Sequence, residues 1–386
     1  MNLEVKKIGV VTGTRADFGL LSRVILLMQN HPYFDLTVFV TGTHLSADYG
    51  YTINEIRDMK IQNIVSVESL VSSVSRVGLV KSVGLATIGF ADAFSQNSLD
   101  AIVVLGDRFE ILAASQTAML LGIPLIHIHG GEITEGAFDD SIRHAITKMA
   151  NLHFVATTEF ANRVMQMGEP RNSVFVVGAT GVDNILHTQG MPKSQLEADL
   201  GISLDSSAAL VTYHAVTNAD DIEENNILPL VEAIKDIPDI TYIITYPNAD
   251  GYGDEIVEYW KTLSALENVI LVPSLGFKRY LSLMKYVDCV IGNSSSGILE
   301  APSFKVATVN IGTRQKGRPC AESVINVSMN KNAICEAINK CRTEVFKKSL
   351  EKVVSPYGEG GASEEILKVI SEQDLRSFKA KKFMDI

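Results

Sequence analysis

Carboxylates recur at places where an α/β chain can use them: Asp107, Glu132, Asp139 and Asp140. Carboxylates held in different surroundings can divide the work of general acid and general base at one carbon centre. Asp107 lies in Gly106-Asp-Arg-Phe-Glu110, after the apolar run Ala101–Leu105. Glu132 follows Gly130 and Gly131, which free the chain to aim one side chain, after Pro124–His129. Asp139 and Asp140 open a helical stretch through Ala150, on which Asp140, Arg143 and His144 share a face at i, i+3 and i+4. Blander readings stand beside these. Asp107 can cap a helix while Arg108 makes a surface ion pair, and Asp139 or Asp140 can cap the next helix. His127 and His129 fall at i, i+2 and would share a strand face. Without a firm third ligand that pair reads as structural, so no metal is assigned.

Anion-binding chemistry has its own candidates. Gly13-Thr-Arg-Ala-Asp-Phe-Gly19 follows the first apolar run and offers a tight turn, a helix start and Arg15, without G-x-G-x-x-G spacing. Gly292-Asn-Ser-Ser-Ser-Gly297 places three hydroxyls at the start of a helix predicted to carry Glu300, a pattern suited to a diphosphate. Tyr213-His214, Tyr246-Pro-Asn248 and Ile311-Gly-Thr-Arg314 also follow apolar runs. A lone histidine at a strand end is as well explained by a structural hydrogen bond.

Such loops need a scaffold that gathers strand ends. The apolar runs Ile8–Thr12, Leu36–Val40, Ala101–Leu105, Pro124–His129, Val174–Val177, Ala208–Thr212, Tyr242–Thr245, Val269–Val272, Cys289–Ile291 and Ala307–Ile311 are β-branched and barely alternate. That pattern predicts parallel strands covered on both faces, separated by helices. The expected fold is α/β, with two facing Rossmann-like doubly wound domains at residues 1–180 and 208–355. A linker is expected over 181–207, and a helical segment over 356–386 that packs back on the body. The 386 residues suit that count, and the formal net charge of −11 argues against nucleic acid or anionic membrane as the main partner. Four cysteines without C-x-x-C spacing read as reduced thiols in a cytoplasmic protein. No uninterrupted apolar run reaches the ~18 residues of a membrane span.

The series Thr12-Gly-Thr-Arg-Ala-Asp17, Thr41-Gly-Thr-His44, Asp48-Tyr-Gly50, Leu105-Gly-Asp-Arg108, His127-Ile-His-Gly-Gly-Glu132, Asp140 to Lys148, Gly292 to Gly297 and Ile311 to Arg318 runs in one order over about residues 8–320. In that series the chain resembles the hydrolysing UDP-N-acetylglucosamine 2-epimerases of the bacterial sialic-acid-pathway type. The resemblance implies the glycosyltransferase-B architecture. It also implies conversion of UDP-N-acetylglucosamine and water to N-acetylmannosamine and UDP, by elimination to 2-acetamidoglucal and hydration, as the first step of sialic acid biosynthesis for a surface polysaccharide. It implies no cofactor, a UDP-sugar as partner, and a homodimer or homotetramer. Asp107, Glu132, Asp139, Asp140 and His214 become catalytic candidates. Arg15, Arg108, His214, Ser294, Ser295 and Arg314 would stabilise the diphosphate, with Arg15, Arg108, Arg314 and His214 as its positive groups. Asn248 would lie near the uridine or diphosphate, and Glu300 would accept the ribose hydroxyls. Further contacts are implied for Ala16, Asp17, Gly19, His44, Arg143, His144, Gly276, Phe277, Asn293, Ser296 and Gly297. Many relatives carry glutamate at the position of His129, which leaves His129 and Glu132 as alternative sugar-facing groups. Animal enzymes carry serine at the position of Gly19, so one phosphate contact is missing here. The alternatives are the same reaction on UDP-2,4-diacetamido-2,4,6-trideoxyglucose, a glycosyltransferase on the same fold, and a non-catalytic UDP-sugar sensor.

Overall fold

The computed structural model describes residues 5–47, 50–71, 75–133, 138–187, 190–216, 225–247, 253–378, 381 and 383–385. The chain forms two compact units. One comprises Met1–Ile133, Phe138–Asn184 and Gly360–Ile386, and the other is mainly Ile185–Glu359.

In the first unit, β1 (Lys6–Thr12), β2 (Phe34–Thr41), β3 (Ile64–Val67), β4 (Ala101–Leu105), β5 (Leu125–Ile128), β6 (Leu152–Val155) and β7 (Val174–Val176) form a seven-stranded sheet in the order β3-β2-β1-β4-β5-β6-β7. Every pairing is parallel. Alternate residues of one strand feed opposite cores: Ala101, Val103 and Leu105 join one, Ile102 and Val104 the other. This double burial is why the strands read as unbroken apolar runs. The order reverses between β1 and β4, and the crevice beyond such a reversal is where open α/β sheets bind ligands.

The second unit repeats the plan. β8 (Ala208–Thr212), β9 (Thr241–Thr245), β10 (Val269–Val272), β11 (Cys289–Gly292), β12 (Ala307–Ile311) and β13 (Val324–Val327) pair in parallel in the order β10-β9-β8-β11-β12-β13. Its switch point lies between β8 and β11.

One expectation differs from what is seen. The stretch taken as a linker contains the Lys193–Leu200 helix, and its Leu196, with Met191, is buried in the second unit's core beside Leu210 and Ile243. The helix Arg76–Ser95 is long and apolar enough to cross a membrane by length and composition. Lys81 and Asp92 interrupt it; Ser82, Ala86, Phe90 and Phe94 are buried, the last three in the core that includes Phe39 and Val67, while Val77, Val80 and Ile88 are exposed.

The last helix, Ala362–Glu372, belongs to the first unit and packs on the Arg15–Gln29 helix. Side chains from that unit satisfy both its ends. The Asp183 carboxylate accepts the N–H groups of Ala362 (3.2 Å) and Ser363 (2.6 Å). The Lys6 ammonium donates to the carbonyls of Ile370 (2.8 Å), Ser371 (2.6 Å) and Gln373 (2.6 Å). Helix ends leave these groups orphaned, and opposite charges suit the two poles of the dipole.

Candidate functional site

In the first unit, the loops after β1, β2, β4 and β5 carry the polar groups. Thr14 caps the Arg15–Gln29 helix, its hydroxyl accepting the Asp17 N–H at 3.2 Å. Asp17 is buried, and its Oδ2 has no hydrogen-bond partner among the described residues. Burial, opposed by the Arg108 charge, pushes its carboxyl up to about 7. Arg15 does not join it: its Nε pairs with Glu55 at 3.3 Å on a half-exposed surface. His44 is buried between the hydroxyls of Thr12 (3.0 Å) and Thr52 (2.7 Å), and burial lowers its pKa to about 4, so the ring is neutral.

After β4, Arg108 and not Asp107 occupies the N-cap position of the Phe109–Leu120 helix, and no side chain caps it. The capping reading of Asp107 is therefore replaced. Its carboxylate accepts from Arg143. Arg143 also donates to the Glu132 carbonyl (2.9 Å) and to Asp140 Oδ1 (3.4 Å), while Asp140 Oδ2 lies 3.3 Å from His144 Nε2. One buried guanidinium thus gathers Asp107, Asp140 and the Glu132 backbone. Burial, reinforced by the Glu132 charge and opposed by Arg143, raises the Asp107 pKa, and burial with Asp107 nearby raises that of Asp139. Asp139 and Asp140 stand inside the first turn of the Phe138–Met149 helix, where the dipole favours a carboxylate.

Glu110 is the residue that sequence reasoning passed over. It is fully buried, and Arg108 Nε donates to it at 2.8 Å. The loops after β1 and β2 close directly over it. A Cβ at Gly13 would lie 2.4 Å from Glu110 Cγ, and one at Gly42 (φ +59°) would lie 3.1 Å from its Oε1. Its signal was the unbroken helical pattern that hid a carboxylate on the inner face.

After β5 the strand alternation stops, because His129 takes a left-handed backbone (φ +63°). The histidine pair therefore does not act together. His127 Nε2 donates to the Gly106 carbonyl (2.8 Å) and its Nδ1 meets the Thr147 hydroxyl (3.1 Å), which occupies both ring nitrogens. Burial lowers its pKa to about 3. His129 Nδ1 instead lies 2.7 Å from Glu132 Oε1, and its Nε2 lies 3.3 Å from the Thr180 hydroxyl. Both glycines that follow are needed, since a Cβ at Gly130 would lie 2.9 Å from Thr147 Oγ1 and one at Gly131 2.5 Å from the Phe160 carbonyl oxygen.

In the second unit, Gly292 (φ +131°) ends β11 so close to β8 that a Cβ would sit 2.0 Å from the Thr212 carbonyl oxygen. The next residue, Asn293, is fully buried and clamps the chain after β8. Its Oδ1 accepts the His214 N–H (2.7 Å) and its Nδ2 donates to the His214 carbonyl (2.8 Å). The Asn293 carbonyl in turn accepts from Arg314 (3.2 Å) and Gln315 (2.8 Å). Hydroxyls form a chain: Thr245 and Thr212 at 2.7 Å, Tyr280 and Ser296 at 2.6 Å, Ser296 and Ser294 at 3.0 Å.

Two readings change here. Burial and the Arg314 charge lower the His214 pKa to about 4, so His214 is a neutral hydrogen-bonding group and not one of the positive groups. The helix expected to carry Glu300 is the single turn Ser296–Leu299, with Glu300 at its C-cap and burial pushing that carboxyl up to about 7. One turn brings little dipole, so the hydroxyls and backbone, not the helix, define this loop. Gly276 (φ +65°) opens the Gly276–Met284 helix. Asn248 and the Phe277 side chain lie outside the described residues.

The UDP-N-acetylglucosamine 2-epimerase family matches residues 27–371. The polysialic acid biosynthesis protein P7 of Escherichia coli is 38% identical over 371 residues, covering 95% of this chain and 94% of that protein. A Campylobacter jejuni GDP/UDP-N,N'-diacetylbacillosamine 2-epimerase (hydrolyzing) is 37% identical over 348 residues, with 89% of each chain covered. Among solved structures, the Neisseria meningitidis UDP-GlcNAc 2-epimerase bound to UDP-GlcNAc matches with a TM-score of 0.81 at 21% identity, covering 95% of this chain and 100% of that one. That likeness places the fold in the glycosyltransferase-B class. With two doubly wound units and a family match across most of its length, the chain belongs to the UDP-N-acetylglucosamine 2-epimerase family of hydrolysing sugar-nucleotide enzymes.

Proposed function

We propose that this enzyme converts UDP-N-acetylglucosamine and water to N-acetylmannosamine and UDP. The observation that carries the proposal is the cluster of Asp107, Asp140 and Glu132 around the buried Arg143. A base removes the C2 proton as the C1–oxygen bond to UDP breaks, leaving 2-acetamidoglucal. Water then supplies a hydroxyl to C1, and C2 receives a proton on the opposite face. Two proton transfers on two faces of one ring need carboxyl groups with separated protonation states. Burial raises both Asp107 and Asp139, so either carboxyl can hold the proton that is delivered while an ionised neighbour acts as base. The second unit holds the UDP: Arg314 and the Ser294–Ser296 hydroxyls meet the diphosphate, neutral His214 donates to it, and Glu300 meets the ribose. Leaving-group charge is stabilised by donors fixed in advance.

A second reading keeps the chemistry and changes the sugar to UDP-2,4-diacetamido-2,4,6-trideoxyglucose. The name of the 37% identical Campylobacter relative favours it. Both UDP-sugars should be turned over side by side in deuterated water, with the products read by NMR. The expected result is UDP together with N-acetylmannosamine deuterated at C2. Faster release from the diacetamido sugar selects the second reading, and no UDP release from either ends both.

A further inference from the structure

Thr180, His129 and Glu132 form a hydroxyl–imidazole–carboxylate chain in the first unit, with contacts of 3.3 Å and 2.7 Å. All three are buried, Thr180 completely. The carboxylate oxygen can only accept, so His129 Nδ1 carries the hydrogen and donates to Glu132. With the single ring hydrogen on Nδ1, Nε2 presents a lone pair to which the Thr180 hydroxyl can donate. Each bond fixes the direction of the next. The same order of groups activates a hydroxyl nucleophile elsewhere, but Thr180 is sealed from solvent. Its hydroxyl is a donor here.

The backbone supports a role beyond packing. His129 is a non-glycine residue at φ +63°, a sterically costly conformation that tends to persist where a site needs it. Its N–H is tied to the Phe154 carbonyl of β6 at 2.9 Å, which holds the ring in place. Among the described residues, the charged groups near Glu132 include Asp107 and Arg143, and His127 precedes His129 on β5.

We propose that His129 and Thr180 are positioning residues: Thr180 fixes the His129 tautomer, and His129 thereby orients and hydrogen-bonds the Glu132 carboxylate for proton transfer. This rests on reading Glu132 as catalytic, so one measurement is made without substrate. The ring-nitrogen NMR signals of His129 in the wild-type protein report the tautomer directly, and Nδ1–H is expected. Thr180→Val removes the donor at constant shape, and Thr180→Ser keeps it. The valine variant should lose about ten- to a hundredfold in kcat with KM and UDP affinity within about twofold. Its acid limb should move to higher pH, because a carboxylate that loses a donor is protonated more easily. The serine variant should stay within about twofold of wild type.

A wild-type Nε2–H tautomer overturns the proposal. So does a valine variant with wild-type kcat and pH profile, and so does an equal loss in both variants, which marks simple packing. If the wild type turns over neither UDP-sugar, the reaction assignment falls, and the tautomer still decides the chain.

Discussion

The switch-point loops of the two units are built from opposite materials. In the first unit, Asp17, Asp107, Glu110, Asp139 and Asp140 crowd around Arg108 and Arg143, and several of these groups are buried. In the second, hydroxyls and amides dominate: Thr212, Thr245, Tyr280, Ser294, Ser296 and Asn293 bond to one another, and His214 is neutral. Crowded buried carboxyls resist ionisation and so keep protons available near neutral pH. Neutral donors hold an anion without titrating. On the proposed reading, one sheet plan supports proton transfer in one unit and recognition in the other, and the loop chemistry makes the difference.

The largest test of this contrast lies in the first unit. Glu132→Gln and Asp107→Asn should each cut turnover by about 10²–10⁴ while UDP affinity changes by less than about threefold. UDP release assays and titration calorimetry read the two quantities, and equal losses in both would erase the division. Asn293→Ala should act through structure. It strips partners from the His214 N–H and carbonyl, and thermal melts should show a loss of about 2–3 kcal/mol together with weakened UDP binding. Arg314→Ala should weaken UDP binding by about ten- to a hundredfold, with a smaller effect on saturated turnover.

The smallest expected effect is a pH dependence at Asp17. Its folded pKa of about 7 lies above the ordinary aspartate value of 3.8, so the folded state binds more protons between those values. Its contribution is fully present below pH 3.8 and is lost as pH rises through 7. Asp17→Asn should therefore gain stability over wild type, by about 1–2 kcal/mol, between pH 5 and pH 8. Denaturant midpoints at the two pH values check the sign. His127 works in the other direction. Its folded pKa of about 3 lies below 6.5, so its contribution is lost as pH falls from 6.5.

How legible this was in the sequence depended on how local each feature is. Strands such as Ala101–Leu105 and Ala208–Thr212 were readable end to end because burial on both faces leaves no polar interruption. Ile64–Val67, Leu152–Val155 and Val324–Val327 were not: each is four residues long, with Ser66, His153 or Asn326 inside. His153 belongs in a core only because Glu169, paired also with Lys148 and Lys381, accepts from it at 2.9 Å. The site loops were legible because they follow strands, a rule of the fold class. Glu110 and Thr180 were not, since each acts on residues whose proximity only the folded chain creates. The neutral state of His214 was hidden for the same reason, because a residue type does not reveal its burial.

The double capping of the Ala362–Glu372 helix bears on the order of synthesis. The first unit's core includes Ile366, Leu367, Val369 and Ile370 from that helix, more than two hundred residues after most of the sheet has been made. Until those residues leave the ribosome, Lys6 and Asp183 have nothing to cap, and one apolar side of the Arg15–Gln29 helix stays wet. The second unit, apart from residues 134–137, runs unbroken from Ile185 to Glu359 and can close first, reversing the usual amino-to-carboxyl sequence of domain folding. The nascent first half is then the stretch most in need of a chaperone.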